Sequence, residues 1–195
     1  MNQPMTTQST LVAALWPSAD RLDLLRLGLL AIAGSLLMTL AAKIQVPFWP
    51  VPITMQTFAT FVIGMAFGWR LAGATMLLYL GQGAIGMPVF TWGGGIVYFT
   101  GPTAGYLIGF LAAAVLVGWL AERGWDRHAM RTLAALALGE LVILGLGGAW
   151  MAILFGPAKA WTAGIAPFLL GDALKIALAA LFVPACWKII GKLRA

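Results

Sequence analysis

The stretch Leu71–Ala121, LAGATMLLYLGQGAIGMPVFTWGGGIVYFTGPTAGYLIGFLAAAVLVGWLA, holds 51 residues without one charged side chain. A helix that crosses the roughly 30 Å hydrocarbon core of a bilayer needs about 20 residues, so this stretch is too long for one span and suits two. Pro88 and the run Gly93-Gly94-Gly95 punctuate its middle, which predicts spans over 71–87 and 103–121 with a loop between them. Working outward, 16 uncharged residues separate Arg26 from Lys43, and with snorkelling ends 24–44 suffices for a first span. No charge follows until Arg70, but Pro47, Pro50 and Pro52 break the first part and leave 54–69 as a short second span. After a polar connector from Glu122 to Arg131, a fifth span is expected over 132–155, ended by Gly156-Pro157. A sixth is expected over 161–187, with Pro167 and Pro184 inside it and Lys188 after it. The expectation is therefore an all-α, polytopic membrane protein: a six-helix membrane domain over 21–195, behind a cytoplasmic tail or surface-lying segment over 1–20.

Composition excludes the soluble alternative. The chain of 195 residues is 62% hydrophobic and 9% charged, and a soluble fold of this size must leave much of its surface facing water. The charges that remain, 12 Lys+Arg against 6 Asp+Glu, carry topology. With the N-terminus inside, the inner loops hold Arg21, Arg26, Arg70, Arg123, Arg127, Arg131, Lys188, Lys192 and Arg194, whereas the outer loops hold Lys43 and Lys159. Cytoplasmic loops carry such an excess, so the reading is N-in and C-in. Scattered singly, these cations form no nucleic-acid-binding face. One cysteine, Cys186, excludes an internal disulfide framework and a multi-cysteine metal site.

The outer loops 45–53, 88–102 and 156–160 collect Phe48, Trp49, Phe90, Trp92, Tyr98, Phe99 and nearby Trp161. Interfacial anchoring accounts for any single Trp. Trp49 and Trp92, set among prolines and glycines, suit loops that fold back over a site.

Within the spans the ionisable residues are Glu140, Asp172 and Lys175, and intramembrane charge is costly enough to mark function. Asp172 and Lys175, three apart, share a helix face. They form either a brace holding the last span or a recognition point in an apolar cavity, the carboxylate taking N–H donors and the ammonium an anionic group. Glu140, with Gly139, Gly145, Gly147 and Gly148 around it, suits close helix packing in which its carboxylate bonds a neighbouring backbone. Gln56, at an outer end, either meets a ligand or braces a loop; Gln45, Gln82 and Thr57 are further polar candidates, and Thr54 reads as the N-cap of span two.

Several chemistries fall by inventory. The one serine within a span, Ser35, has no histidine in the membrane, and a lone intramembrane Asp172 cannot form an aspartic dyad. The triple glycine lacks the Lys and Ser/Thr of a nucleotide-binding loop, so the chain does not itself hydrolyse ATP. No enzyme activity, metal or cofactor is expected.

Four ordered motifs then stand together: Gln45–Phe58 (QVPFWPVPITMQTF), Leu78-Tyr79 leading through Gly83–Phe90, Gly101–Tyr106, and Gly171-Asp172-Ala173-Leu174-Lys175. From about residue 24 to 190 the chain resembles the BioY family, the biotin-binding membrane components of energy-coupling factor vitamin transporters. The resemblance implies six helices in a prokaryotic cell membrane, surrounded by lipid. It implies biotin as transported ligand, and partners in a separate transmembrane coupling protein and two cytoplasmic ATPase subunits. It further implies that Asp172 and Lys175 bind biotin and that loop 45–53 closes over it, with Phe48 and Trp49 as lid residues. Tyr79, Phe90, Trp92 and Tyr106 become candidate walls. Family members dock the coupling protein through Ala-x-x-x-Ala on the first helix; the counterpart here is Ala31-x-x-x-Ser35. An ion-coupled carrier of another anionic solute, with Glu140 and Asp172 as proton relay, and an assembly factor with a merely structural Asp–Lys pair are the competing readings.

Overall fold

A computed structural model of the chain describes residues 10–15 and 23–193. The elements are α1 (Leu11–Leu15), α2 (Asp23–Lys43), β1 (Gln45–Val46), β2 (Ile53–Thr54), α3 (Gln56–Ala84), α4 (Ala104–Ala121), α5 (Ala129–Phe155), α6 (Pro157–Lys159) and α7 (Ala166–Leu193). A 3-10 turn (Ile96–Phe99) lies between α3 and α4, and a π-helical turn (Ala160–Ile165) joins α6 to α7. Among the described residues, five helical segments are long and apolar enough to cross a membrane: 24–43, 56–84, 104–121, 129–155 and 157–190. The architecture is that of an all-helical, multi-pass membrane protein. Rows of large apolar side chains on the outward faces, such as Leu25, Ile32, Leu36 and Leu40 on α2 and Leu170, Leu174, Leu178 and Leu181 on α7, are exposed, the arrangement that lipid rather than water permits.

The expected second and third spans are two helical limbs of α3 that adjoin without a loop, and the break between them falls at Gly68 rather than Arg70. Gly68 has φ 76 and ψ 170, a conformation open to glycine and strained for residues with a Cβ. A straight helix would hold Gln56 and Tyr79 about 35 Å apart at 1.5 Å per residue, yet Gln56 Nε2 donates to the Tyr79 hydroxyl at 3.0 Å. The two limbs therefore lie side by side. The first runs against α2, with Met55 N–H on the Ala41 carbonyl and the Thr60 hydroxyl 3.7 Å from Met38 Sδ. The second runs along it, with the Ser35 hydroxyl donating to Gln82 Oε1 and Lys43 Nζ donating to the Phe90 carbonyl at 2.6 Å.

These contacts sort the loops to two ends. At the Gly68 end, Glu122 Oε1 accepts the Trp69 N–H, Arg26 and Arg70 border one groove, and Trp187 Nε1 donates to Asp126 beneath the Arg127 guanidinium. Asp126 is wholly buried, and burial pushes its carboxyl up to about 6 against the indole hydrogen bond and the Arg127 charge. The other end holds the β1–β2 ribbon, the 85–103 loop and α6. Within the expected tail, Leu11 and Ala14 are buried and α1 packs on α3 and α7; residues 1–9 and 16–20 of that tail lie outside the described residues, as do the side chains of Arg21, Lys192 and Arg194.

The last expected span is longer than 161–187. It starts at Pro157, widens through the π-helical turn and continues to Leu193. Ala31 and Ser35 are buried, with the Ser35 hydroxyl on Gln82, and the outward face of α2 carries Gly28 and Ala33 among its leucines and Ile32.

Candidate functional site

At the end opposite Gly68 a narrow cavity opens between the helices, a common place for small-molecule sites in helical bundles. Its walls come from the β1–β2 segment (Val51, Pro52, Thr54), α3 (Gln56, Thr57), the following loop (Phe90, Thr91, Tyr98, Thr103), α4 (Tyr106, Leu107, Phe110), α5 (Ile143, Leu144) and α7 (Phe168, Asp172, Lys175). The lining is mostly apolar and aromatic, and Asp172, Lys175, Thr54, Gln56 and Thr91 form one connected polar group within it.

The charged members of that group stand on one turn of α7. Asp172 and Lys175 are 2% and 8% exposed, and Lys175 Nζ lies 2.7 Å from Asp172 Oδ1. The same ammonium donates to the Thr54 carbonyl at 2.7 Å, so it joins the last helix to β2, whose Thr54 lines the cavity. Thr54 uses its hydroxyl too: it accepts the Gln56 N–H at 3.2 Å and donates to Gln56 Oε1 at 3.1 Å. It thus satisfies a backbone donor of the first turn of α3 as a cap would, although the cap position itself is Met55. Thr91 Oγ1 reaches Gln56 Oε1 at 3.4 Å. Gln56 is consequently a hub that faces the cavity and braces the segments carrying Thr54, Tyr79 and Thr91.

The aromatic wall is fixed from behind. Tyr106 donates its hydroxyl to the Gly164 carbonyl, which the π-helical turn presents, and lies against Phe168 with ring centroids 5.8 Å apart. Its ring passes over Gly147, where any Cβ would strike it. Phe90 packs on Tyr79 at 5.4 Å and on Tyr98 at 4.8 Å, while Lys43 holds its carbonyl. The 85–103 loop is also tied down by Gly95 N–H on the Gly83 carbonyl at 2.7 Å.

Of the residues expected at a site, Asp172, Lys175, Gln56, Phe90 and Tyr106 line this cavity. Tyr79 does not; buried behind it, it bonds Gln56 and donates to the Val89 carbonyl at 3.2 Å. Trp92, 55% exposed, turns outward, its N–H on the Tyr98 hydroxyl. Trp49, 67% exposed, reaches sideways to Phe155, with centroids 6.3 Å apart, and to the Lys159 ammonium 4.6 Å from its ring. Phe48 is half-buried and outside the lining. The expected backbone bond of Glu140 is corrected: among the described residues neither carboxylate oxygen has a hydrogen-bond partner. Phe168 was missed, though it stands four residues before Asp172 and therefore on the same face. The Thr54 carbonyl carries no side-chain signal at all.

The sequence matches the BioY family over residues 7–192. This chain belongs to the BioY family. Among its BioY relatives, the Pyrococcus horikoshii protein named "Probable biotin transporter BioY" is 38% identical over 144 residues, which cover 73% of this chain and 85% of that one. "Biotin transporter BioY" of Rhodobacter capsulatus is 36% identical over 170 residues, covering 78% and 88%. The crystal structure of the S-component for biotin from an ECF-type ABC transporter matches the BioY fold seen here with a TM-score of 0.73 at 21% identity, over 88% of this chain and 95% of that one.

Proposed function

We propose that this protein captures biotin at the outer face of a bacterial inner membrane for ATP-driven import by partner subunits. The observation that carries the reading is the Asp172–Lys175 pair, buried in the lining of a mostly apolar and aromatic cavity. Biotin has a ureido group, an apolar thioether bicycle and a carboxylated tail. A carboxylate suits its N–H donors, an ammonium its carboxylate or ureido oxygen, and the Phe90, Tyr106 and Phe168 rings its bicycle. Relatives named as biotin transporters support the choice of ligand.

The fold-back of α3 supports six crossings, since each limb runs between the same two ends. The arginines at the Gly68 end favour that end as cytoplasmic, which gives N-in and C-in and turns the cavity outward. Loop 45–53 then serves as lid, strapped at β1–β2 and at Trp49 on α5. The chain supplies no nucleotide site, so we assign energy to a transmembrane coupling protein and two ATPase subunits, and no catalysis to this chain. The small residues of α2, Ala31 and Ser35 with the outward Gly28 and Ala33 beside them, are the surface we assign to the coupling protein.

Labelled-biotin binding to the purified protein tests the reading. Losing a hydrogen bond to a charged group weakens binding by about 1.5–3 kcal/mol, roughly 10- to 150-fold, so Asp172→Asn and Lys175→Met should each do so. Unchanged affinity in both would sink the site. In cells, uptake that persists without any ATPase and collapses with a protonophore would instead favour ion coupling.

A further inference from the structure

Glu140 is the one acid in the bundle that the capture reading leaves without work among the described residues. It sits on α5 one helical turn before Ile143 and Leu144, which line the cavity, and therefore on the same helix face as they do. It is 7% exposed, and neither oxygen has a hydrogen-bond donor at bonding distance among the described residues. The groups it feels electrostatically are Asp172 first and Lys175 second, both from α7. From α4, Tyr106 interacts with Asp172 but gives its hydroxyl proton to Gly164. Phe61 of α3 and Val117 of α4 close the neighbouring position at Gly139 and offer no donor.

Lys175 is already engaged by Asp172 and Thr54. An ionised Glu140 would set two carboxylates against one ammonium away from water, and such a charge is expelled or neutralised. A protonated Glu140 reverses the problem: its O–H becomes a donor that needs an acceptor, and Asp172 is the acid it faces. We propose that Glu140 stands in the site as a neutral carboxylic acid that donates a hydrogen bond to Asp172, and so is a positioning residue for ligand recognition. The proposal rests on the biotin-capture reading for its ligand.

Two consequences follow for the chemistry. A carboxylate offers about four lone-pair directions; Lys175 takes one and Glu140 a second, which orients the remaining two toward the cavity for a paired N–H donor such as a ureido group. With Glu140 neutral, the three groups sum to zero charge, so an anionic tail enters without repulsion. An ionised Glu140 would leave the site negative and turn that tail away.

The test uses the full-length purified protein with labelled biotin and infrared spectroscopy. Glu140→Gln keeps a neutral N–H donor and should bind biotin within about threefold of the native protein, whereas Glu140→Leu should weaken binding about tenfold or more. The carbonyl stretch of a protonated carboxylic acid should be present in the native spectrum and absent in Glu140→Gln. Native-like binding by Glu140→Leu, equal loss in both variants, or no acid carbonyl band lost in Glu140→Gln would each overturn the proposal. Failure of the native protein to bind biotin refutes the capture reading, and the infrared band, which needs no ligand, still decides the state of Glu140.

Discussion

Replacing Lys175 with methionine keeps most of the unbranched side chain, one atom shorter, and removes its charge from between two acceptors. The ammonium lies 2.7 Å from Asp172 Oδ1; at an effective dielectric near 20, that separation corresponds to about 6 kcal/mol of attraction before desolvation. The net loss is smaller. Removing one member of a buried pair costs about 3–5 kcal/mol, because the other charge is left uncompensated. For a chain of this length each kcal/mol is worth about 2–4 °C, so Lys175→Met should lower the melting midpoint by roughly 6–20 °C. Asp172→Asn should cost less, since the ammonium keeps the Thr54 carbonyl. The double variant Asp172→Asn/Lys175→Met should be more stable than Lys175→Met alone, as neither charge is then stranded, yet it should not bind biotin. Thermal denaturation of the four proteins in one detergent, followed by intrinsic tryptophan fluorescence, makes the comparison. A double variant as unstable as the sum of the singles would refute the idea that the two charges compensate each other. Stability unmoved by Lys175→Met would refute their burial.

Other outcomes follow from particular contacts. Gly68→Ala forces a Cβ into a φ of 76 and should destabilise the protein by about 1–3 kcal/mol, read as a lower melting midpoint; an unchanged midpoint would mean that the fold-back needs no glycine. Asp126 has a carboxyl raised to about 6 by burial, so the folded state holds this proton more tightly than the unfolded one. Its contribution, about 3 kcal/mol for two units, is complete below about pH 4 and lost as pH rises through about 6. Between those values the native midpoint should therefore fall relative to that of Asp126→Asn, and parallel curves would count against it. Gly147→Val drives a side chain into the Tyr106 ring and should weaken biotin binding about tenfold or more through displacement of the wall, measured by equilibrium binding. Trp49→Ala removes an exposed ring that holds Lys159; at about 0.5–1 kcal/mol for such a contact, it should leave the midpoint nearly unmoved while biotin dissociates faster in stopped-flow chase.

Spans and candidate residues were legible to different depths. Uncharged length and the positions of Arg and Lys locate the helices, because a charge in hydrocarbon is costly wherever the chain goes. The turn at Gly68 is hidden because its signal is one dihedral angle, not a residue class, and Arg70 two residues later advertises the same boundary. Asp172 and Lys175 could be paired from spacing alone, since one helix fixes their distance. Trp49, Trp92 and Phe48 could not be placed, because a loop decides separately for each residue whether a ring points in or out. The hydrogen bond from Ser35 to Gln82, 47 positions on, is equally hidden. No local pattern predicts that meeting.

The Thr54 carbonyl has a consequence of its own. An ammonium has three N–H donors, and Lys175 commits two, one to Asp172 and one to the strand that ends loop 45–53. A ligand group needing one donor can take the third and leave the strand in place; a group needing two must draw a donor away from Asp172 or from the strand. Ligands of the second kind that take it from the strand trade binding energy against the anchorage of the loop, and by reciprocity a loosened loop binds them better. Susceptibility of residues 47–52 to added protease thus becomes a gauge of which atoms of the ligand Lys175 holds.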